Sequence, residues 1–286
     1  MKDIIIVNYT DPVCVWCWAT EPVFRAFETR YPNVEIRYVM GGMVESMQDF
    51  ADPANHIDGD AADVNGQVMQ HWLESQAIHR MPIEPKGFAL FSPEHDSTYP
   101  QNIACKAALI ADPGKAHKYL RLMRVASIAQ ARQTARRDVQ VDIAREAGID
   151  VQVFEKALDD GSALAAFRAD LGLVQSGGIS AFPTFLVKSA QAREVMMRGF
   201  NRRLDFERVF DNLLGGYFEP LTSPPDAEVL DWLIEKNGPL SQEEIYQAFD
   251  FETRGQAMEW VQELLAGGRY AQLPAGNQFL LKLATP

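Results

Sequence analysis

Apolar residues along this chain follow the pattern of a strand in some segments and the spacing of a helix in others. The points where one pattern replaces the other predict its first elements. Residues 3–9 form an apolar run of the kind that builds a buried strand. Apolar residues at helical spacing follow until Tyr31 and Pro32 end the helix. Val34–Met40 alternates between apolar and polar side chains, which predicts a second strand. The chain is therefore expected to open with a strand, a helix and a strand.

Helical spacing dominates the middle of the chain, where the predicted helices lie near residues 65–79, 101–111, 115–130, 135–147, 151–160 and 162–175. Strand patterns return at Thr184–Lys188 and Glu194–Arg198, and a helix at Leu204–Leu214 follows them. The expected fold class is therefore α/β, with a large all-helical insertion at about 62–176 that splits the α/β unit.

Glycines and prolines separate a C-terminal part from the rest. Gly215 and Gly216 precede three prolines, which predicts a linker at 218–225 and a first domain at 1–217. Residues 226–286 show three helical patterns and then two short strand patterns on either side of a turn. This order resembles a winged helix, so we expect a small winged-helix-like α+β module here.

The charge balance disfavours polyanionic binding partners. With 39 acidic and 27 basic side chains, the chain has a net charge of −12, which disfavours a general binder of nucleic acid or anionic lipid. The C-terminal module has the same bias, because its ten acidic residues outnumber its four basic ones. DNA binding by a winged helix is an alternative against which this charge argues, and we expect no nucleic-acid partner.

Location can be inferred from the same sequence. Nowhere does it contain about 18 consecutive apolar residues, the length that a membrane-spanning helix needs. The chain begins Met1-Lys2-Asp3 and enters a strand almost at once, which is too short and too acidic for a secretory signal. Three cysteines in 286 residues also form no disulfide framework. We therefore expect a cytoplasmic protein that does not associate with membranes.

Cys14 and Cys17 lie where the first strand runs through Asp11 and Pro12 into a helix. The free N–H groups and the positive dipole end of a helix start favour a thiolate, here that of Cys14. Cys17 follows one turn later. The pattern predicts a redox dithiol with Cys14 as nucleophile and Cys17 as resolving cysteine, and no cofactor beyond the redox-active Cys14–Cys17 disulfide.

A zinc site is the alternative use of the two cysteines. The remaining ligands would be Cys105 and one of three histidines, His71, His79 or His95. No second Cys-x-x-Cys and no His-x-x-x-His pair occurs in the sequence. The apolar Val15 and Trp16 between the cysteines suit a surface that docks substrate better than they suit a metal site, so we expect no metal.

A second motif, Phe182-Pro183-Thr184, stands at the start of the returning strand. Together with the dithiol it resembles the thioredoxin-like fold, specifically the DsbA-like dithiol oxidoreductases of the FrnE type, over about residues 3–214. The resemblance implies that Pro183 follows a cis peptide bond and faces the dithiol. It also implies that Phe182 and Thr184 contact the main chain of substrates, which would be protein or low-molecular-weight thiols and disulfides.

The chain departs from its relatives on the first strand. Thioredoxins have a buried acid six residues before the first cysteine, where this chain has Asn8, which cannot ionise. Glu21 and Asp11 are the nearest carboxylates along the sequence, and we expect them to be a solvated helix residue and a turn residue. Cys105 is expected to be a buried structural thiol. The insertion also contains arginines that are expected to form a solvated helical face: Arg121, Arg124, Arg132, Arg136, Arg137 and Arg145.

Two functions of different classes fit these residues. The first is a cytoplasmic thiol–disulfide oxidoreductase or disulfide isomerase. The second is a non-catalytic, redox-sensing adaptor, because one branch with a similar fold presents a transcription regulator to an AAA+ protease. A Cys14→Ser protein that keeps its cellular role would favour the adaptor. The sequence fixes neither the redox direction nor the oligomeric state.

Overall fold

A four-stranded sheet organises the first part of the computed structural model, which describes residues 3–49, 51–52, 55–216 and 218–284. Its strands are β1 (Ile4–Thr10), β2 (Val34–Met40), β3 (Thr184–Ser189) and β4 (Glu194–Arg198). They are ordered β2-β1-β3-β4; β1 and β2 run parallel, whereas β3 is antiparallel to both β1 and β4. The predicted fold class is confirmed: the chain is α/β with a thioredoxin-like sheet.

Three helices flank this sheet, and aromatic side chains hold two of them against it. The helices are α1 (Val15–Ala19), α2 (Glu21–Arg30) and α9 (Arg203–Leu214). The Phe206 ring lies 5.4 Å from that of Phe27 and 5.0 Å from that of Phe185 on β3. All three side chains are buried. Burial of each contributes about 1.5–3 kcal/mol, so this cluster holds α2 and α9 against β3.

The all-helical insertion lies between β2 and β3. Its helices are α3 (Ala61–His79), α4 (Tyr99–Ala111), α5 (Ala116–Arg124), α6 (Arg137–Ala147), α7 (Val151–Asp159) and α8 (Ser162–Ser176). A π-helical turn, Val125–Ala129, extends α5 and completes the stretch predicted at 115–130. Small residues at 104, 107 and 108 are fully buried and let neighbouring helices approach α4 closely.

A C-terminal unit of helices and a second sheet completes the described chain. It contains α10 (Ala227–Asn237), β5 (Leu240–Ser241), α11 (Gln242–Ala248), α12 (Arg254–Ala266), β6 (Tyr270–Ala275) and β7 (Gln278–Leu283). The sheet order is β5-β7-β6, with both pairs antiparallel. The sequence pattern does not predict β5, because two residues are too few to show an alternation. The predicted domain limits at 1, 217 and 286 lie outside the described residues.

The C-terminal unit packs directly on the insertion. Gly276 forms the turn between β6 and β7 with φ +61°, and a Cβ added there would come within 1.9 Å of the Ile83 carbonyl oxygen. Only glycine fits such an approach. The Ser241 hydroxyl also donates to the sulfur of Met81. Among the described residues, no helix is long and apolar enough to span a membrane.

Five charged side chains, all fully buried, form an ion network where α2, α5 and α11 meet. The Arg121 guanidinium donates to both carboxylate oxygens of Glu244, at 3.1 and 2.6 Å. Arg124 donates to Glu21, which Arg25 also contacts at 3.4 Å. Arg121 lies 3.7 Å from Glu21 and so joins both halves of the network. It connects the sheet domain, the insertion and the C-terminal unit.

This network overturns two expectations. Glu21 is not a solvated helix residue, and Arg121 and Arg124 are not part of a solvated face. Charged side chains are almost never fully buried unless they are paired, and these find partners on other elements. The other four arginines follow the prediction: Arg136, Arg137 and Arg145 are exposed and Arg132 is partly exposed, all in surface ion pairs.

Replacement of Glu244 by alanine should destabilise the whole chain, because the Arg121 charge stays buried without the carboxylate that pairs with it. We expect the free energy of unfolding to fall by about 3–5 kcal/mol, measured by urea denaturation. Asp138→Ala, which removes one partner of the exposed Arg136 pair, is the matched control and should change stability little. Equal effects of the two substitutions would contradict a structural role for the network.

Candidate active site

Cys14 caps the start of α1, and the short connection from β1 determines its position. Its Sγ accepts the N–H of Cys17 at 3.4 Å, and its own N–H donates to the Asp11 carbonyl oxygen. Both cysteines carry free thiols and are buried, with exposed fractions of 5% for Cys14 and 1% for Cys17. The dithiol therefore occupies the strand-to-helix junction that the sequence predicts.

The loop before β3 brings the second motif to the first cysteine. The Phe182–Pro183 peptide bond is cis, and the Phe182 carbonyl oxygen lies 3.5 Å from the Sγ of Cys14. The two residues are 168 positions apart in the sequence, and the antiparallel pairing of β1 with β3 brings them together. The Pro183 carbonyl oxygen accepts the N–H of Gly199, which holds the loop against the connection after β4.

A groove of about 880 Å³ opens beside Cys14, and we call it the Cys14 groove. Its walls come from α1, α3, the segments before and after α3, the loop before β3 and the connection after β4. Its lining residues are Cys14, Val15, Trp16, Met43, Val44, Ala51, Asp52, Asn55, Ile57, Val68, His71, Trp72, Ile78, Leu90, Phe91, Ser180, Ala181, Phe182, Gly199 and Phe200. Most of these side chains are apolar, so the groove suits an extended apolar segment.

Three of the four predicted substrate-contacting residues, Val15, Trp16 and Phe182, line the Cys14 groove. Thr184 is not among its lining residues. It is 1% exposed, it pairs with strands on both sides, and its hydroxyl donates to the Ala181 carbonyl oxygen at 2.8 Å. Its position in the centre of the sheet makes Thr184 a support for the loop.

Trp16 is held by histidines of the insertion, a contact that the sequence did not predict. Its Nε1 donates to the Nε2 of His71 at 3.2 Å, and its ring meets that of His79 edge-on at 6.1 Å. Burial lowers the pKa of His79 to about 4, so this ring is neutral at physiological pH. The two histidines proposed as zinc ligands thus have another structural role, to orient the residue between the cysteines.

Cys105, the other residue in that zinc alternative, lies on α4 in the core of the insertion. It is buried, as expected for a structural thiol, and burial raises its pKa. Among the described residues, no group of three or more His, Cys, Asp or Glu side chains is arranged to hold a metal ion.

The charge beneath Cys17 comes from Arg124. Its guanidinium donates to the Thr10 hydroxyl, which in turn hydrogen-bonds Cys17. Burial disfavours the Cys17 thiolate, but the hydrogen bond from Cys14, the Arg124 cation and the Thr10 hydroxyl outweigh it and lower the pKa of Cys17. Asn8 is also buried here, and its Oδ1 has no hydrogen-bond partner among the described residues.

Cys14 has the opposite environment in the reduced dithiol. Its hydrogen bond to Cys17 and then its burial raise the pKa of Cys14, and the backbone N–H of Cys17 offsets this only in part. With this hydrogen bond in place, the two shifts run opposite to the expected order, in which Cys14 has the lower pKa. The cause is the hydrogen bond that Cys14 donates to Cys17, together with the Arg124 cation, which acts on Cys17.

Asp11 anchors the turn between β1 and α1. Its carboxylate accepts the N–H groups of Val13 at 3.0 Å and Met43 at 2.8 Å, and the side-chain amide of Asn102 at 2.9 Å. Burial raises the pKa of Asp11, although these three hydrogen bonds oppose the shift. Asp11 is thus the predicted turn residue, and it also ties the segment after β2 and α4 of the insertion to the active-site turn.

Comparison with known proteins adds two kinds of relative. The chain is 24% identical over 256 residues to the ClpXP adapter protein SpxH of Halalkalibacterium halodurans, which covers 88% of this chain and 79% of that protein. SpxH of Bacillus subtilis is 22% identical over 257 residues, with 87% and 79% covered. An alignment that spans 88% of the chain is longer than residues 3–216, so it reaches into the C-terminal unit.

Solved structures share the fold at low sequence identity. The cytosolic disulfide reductase DsbM from Pseudomonas aeruginosa superposes with a TM-score of 0.56 at 20% identity and covers 74% of this chain and 98% of its own. A candidate protein disulfide isomerase from Nitrosomonas europaea gives 0.59 at 18% identity, with 75% and 97% covered. A model of the thioredoxin family matches residues 8–202, the span that holds the dithiol, the helical insertion and the cis-proline loop, and the chain therefore belongs to the thioredoxin family.

Proposed function

We propose that the chain is a cytoplasmic thiol–disulfide oxidoreductase or disulfide isomerase that acts on protein or low-molecular-weight disulfides. The observation that carries this proposal is the position of the two sulfurs. Cys14 lines an apolar groove and lies against the cis-proline loop, whereas Cys17 is 1% exposed and does not line the groove. An incoming sulfur therefore meets Cys14 first.

The reaction begins when the Cys14 thiol passes its proton to the Cys17 sulfur, to which it donates a hydrogen bond, and the Cys14 thiolate attacks one sulfur of a substrate disulfide. The substrate S–S bond breaks, its second sulfur leaves as a thiolate, and Cys14 is joined to the substrate in a mixed disulfide. Cys17 gives its proton to the leaving substrate thiolate, and the Cys17 thiolate then attacks the Cys14 sulfur. The second substrate thiolate leaves, and the Cys14–Cys17 disulfide forms. The protein loses two electrons and the substrate gains them; the reverse sequence oxidises a substrate dithiol.

Arg124 favours the nucleophile of the second step, which is the Cys17 thiolate. Once Cys14 is part of a mixed disulfide, it can no longer donate a hydrogen bond to Cys17. The Arg124 cation and the Thr10 hydroxyl remain, and both favour the Cys17 thiolate over the thiol. Asn8 cannot ionise, and the charge that acts on Cys17 is the Arg124 cation of the insertion.

The C-terminal unit has the element order of a winged helix, and we propose that it is a winged-helix-like module at 226–286, joined by a linker at 218–225. The outward face of α12 carries Arg254, Gln256, Glu259, Gln262 and Glu263, all exposed. Arg254 is already paired with Glu243. Carboxylates on this face would repel phosphates, so a protein contact fits the module better than nucleic acid.

A redox-sensing adaptor is the second candidate, and one observation favours it. The alignment with the ClpXP adapter SpxH reaches into the C-terminal unit, which a disulfide exchange at Cys14 does not by itself require. In that function the dithiol would report the redox state, and the chain would present a bound protein to a protease. Retention of the cellular role by a Cys14→Ser chain would favour the adaptor over the enzyme.

Cys17→Ala should trap substrates covalently on Cys14, because the first attack survives and the resolving thiol is missing. We expect mixed disulfides with proteins from a reduced and re-oxidised lysate, detected as reducible bands on non-reducing gels and identified by mass spectrometry. Cys14→Ser should trap nothing, and Cys105→Ala should behave as the wild type. If Cys17→Ala captures nothing while the wild type exchanges a small disulfide, the two-cysteine mechanism is wrong.

Arg124→Met should slow resolution of the mixed disulfide at neutral pH. Loss of the cation raises the pKa of Cys17, and an opposite charge at this range is worth about 1–3 pKa units. The resolution rate, followed in stopped flow against pH, should fall about tenfold or more at pH 7 and recover at higher pH.

Arg121→Met is the matched control, because it removes a second buried arginine of the same ion network, one that contacts α1 at Trp18 and not the Thr10 hydroxyl beside Cys17. Thr10→Val removes the intervening hydroxyl without a change in charge and should give a smaller shift in the same direction. A pH profile of Arg124→Met that matches those of the wild type and Arg121→Met would show that Arg124 does not act on Cys17.

A further inference from the structure

A second cavity, of about 410 Å³, lies beside the Cys14 groove, and we call it the basic cavity. It forms where α1 and α2, the end of α3, the start of α9 and the C-terminal unit meet. The C-terminal unit contributes Tyr246, Phe249 and Arg254 to its lining. The cavity is therefore formed jointly by the helices around the candidate active site and by the C-terminal unit. The proposed exchange reaction gives the C-terminal unit no role.

The lining carries an excess of positive charge. Five arginines and one glutamate line it: Arg30, Arg80, Arg202, Arg203, Arg254 and Glu243. Three of the arginines are neutralised by ion pairs: Arg30 with Asp250, Arg203 with Glu207 and Arg254 with Glu243. The buried His79 adds no charge, because its pKa is lowered to about 4.

Two of these cations are free to meet a ligand. Within the described chain, neither Arg80 nor Arg202 has a carboxylate in ion-pair range, and both are exposed. Arg30 also keeps one buried donor, its Nε, without a hydrogen-bond partner among the described residues. This cluster is positive, whereas the chain as a whole has a net charge of −12. Such donors bind carboxylates and phosphates, and of these two groups an unmodified polypeptide carries only carboxylates.

The basic cavity adjoins the Cys14 groove. Ile78 and Phe200 line both. The Phe200 ring lies 5.9 Å from that of Trp16, and His79 packs on the same tryptophan. A chain that crosses Cys14 and passes over this aromatic pair therefore reaches Arg80 and Arg202. A ligand that engages both sites must extend beyond the pair of rings, as a polypeptide segment does.

We propose that the basic cavity binds an acidic segment of the protein whose disulfide is exchanged at Cys14. This proposal rests on the proposed function and adds the class of substrate: proteins with Asp or Glu residues close to the reactive cysteine. Electrostatic attraction of the segment raises the rate of encounter and fixes which side of the disulfide lies over Cys14.

The test compares two peptide disulfides that differ only beside the cysteine, where one carries Asp and Glu and the other Asn and Gln. Single-turnover exchange with the reduced full-length chain should be about tenfold faster for the acidic peptide at low ionic strength. The difference should shrink as salt is raised. Arg80→Ala combined with Arg202→Ala should abolish the difference and keep the rate of the amide peptide.

Arg136→Ala combined with Arg145→Ala is the control, because it removes the same charge from exposed positions outside both cavities and should keep the preference. Equal rates for the two peptides, or a preference that survives in the Arg80 and Arg202 variant, would overturn the proposal. Fluorescence anisotropy of a labelled acidic peptide without cysteine, added to the oxidised chain, gives a readout apart from exchange. Binding that needs Arg80 and Arg202 supports the site even if no disulfide is exchanged, in which case the proposed function fails alone.

Discussion

The buried ion network is the constraint on which the arrangement of the three parts depends. A charge removed from water costs several kcal/mol unless its partner is in place, and Arg121 finds its partner Glu244 only when the C-terminal unit is docked. Arg121 also lies 4.3 Å from the centre of the Trp18 ring on α1. The same side chain therefore contacts both α1 and the C-terminal unit. Such a network selects one arrangement, whatever its net contribution to stability.

The network also places the positive charge of Arg124 next to Thr10 and Cys17. Arg124 is neutralised on one side by Glu21 and contacts Thr10 on the other, so the insertion supplies a cation to a strand that lacks the usual acid. A cation stabilises a thiolate, and the disulfide has no charge to stabilise. In the proposed exchange reaction, Arg124 therefore favours the reduced dithiol over the Cys14–Cys17 disulfide. Stability of the fold and redox chemistry thus depend on the same residue.

Much of the fold could be predicted from sequence, because its signals are local. The first strand and helix, the insertion and the final hairpin each follow from periodicity and turn residues. Placement of Phe182 beside Cys14 was also predictable, since two motifs of one family occur in order. The burial of Arg121, Arg124 and Glu21 was not. Charged residues at helical spacing default to solvent, and nothing local indicates a partner 123 positions away, as for Arg121 and Glu244.

The Cys14 groove was harder to predict for the same reason. Its far wall comes from α3 and the segments around it, where Trp72 and Phe91 were ordinary apolar residues in the sequence. The order of the two thiol pKa values also differed from expectation, because the helix start is local whereas the Arg124 cation comes from the insertion. Thr184 was assigned to substrate from a motif, and the pairing of β3 on both sides is what removes it from the groove.

The C-terminal unit is part of the core beneath the groove. Ala275 and Leu280 of its hairpin belong to the same buried cluster as Val15 and Trp18 of α1 and Trp72 of α3. A protein interior is close-packed, so a shift of the hairpin must displace the residues that form the groove. Gly276 tightens this contact, because its turn lies against the backbone of Ile83. A partner bound to the C-terminal unit and a substrate bound at Cys14 would therefore act on one continuous core, which gives a physical route by which the redox state and a protein contact can influence each other.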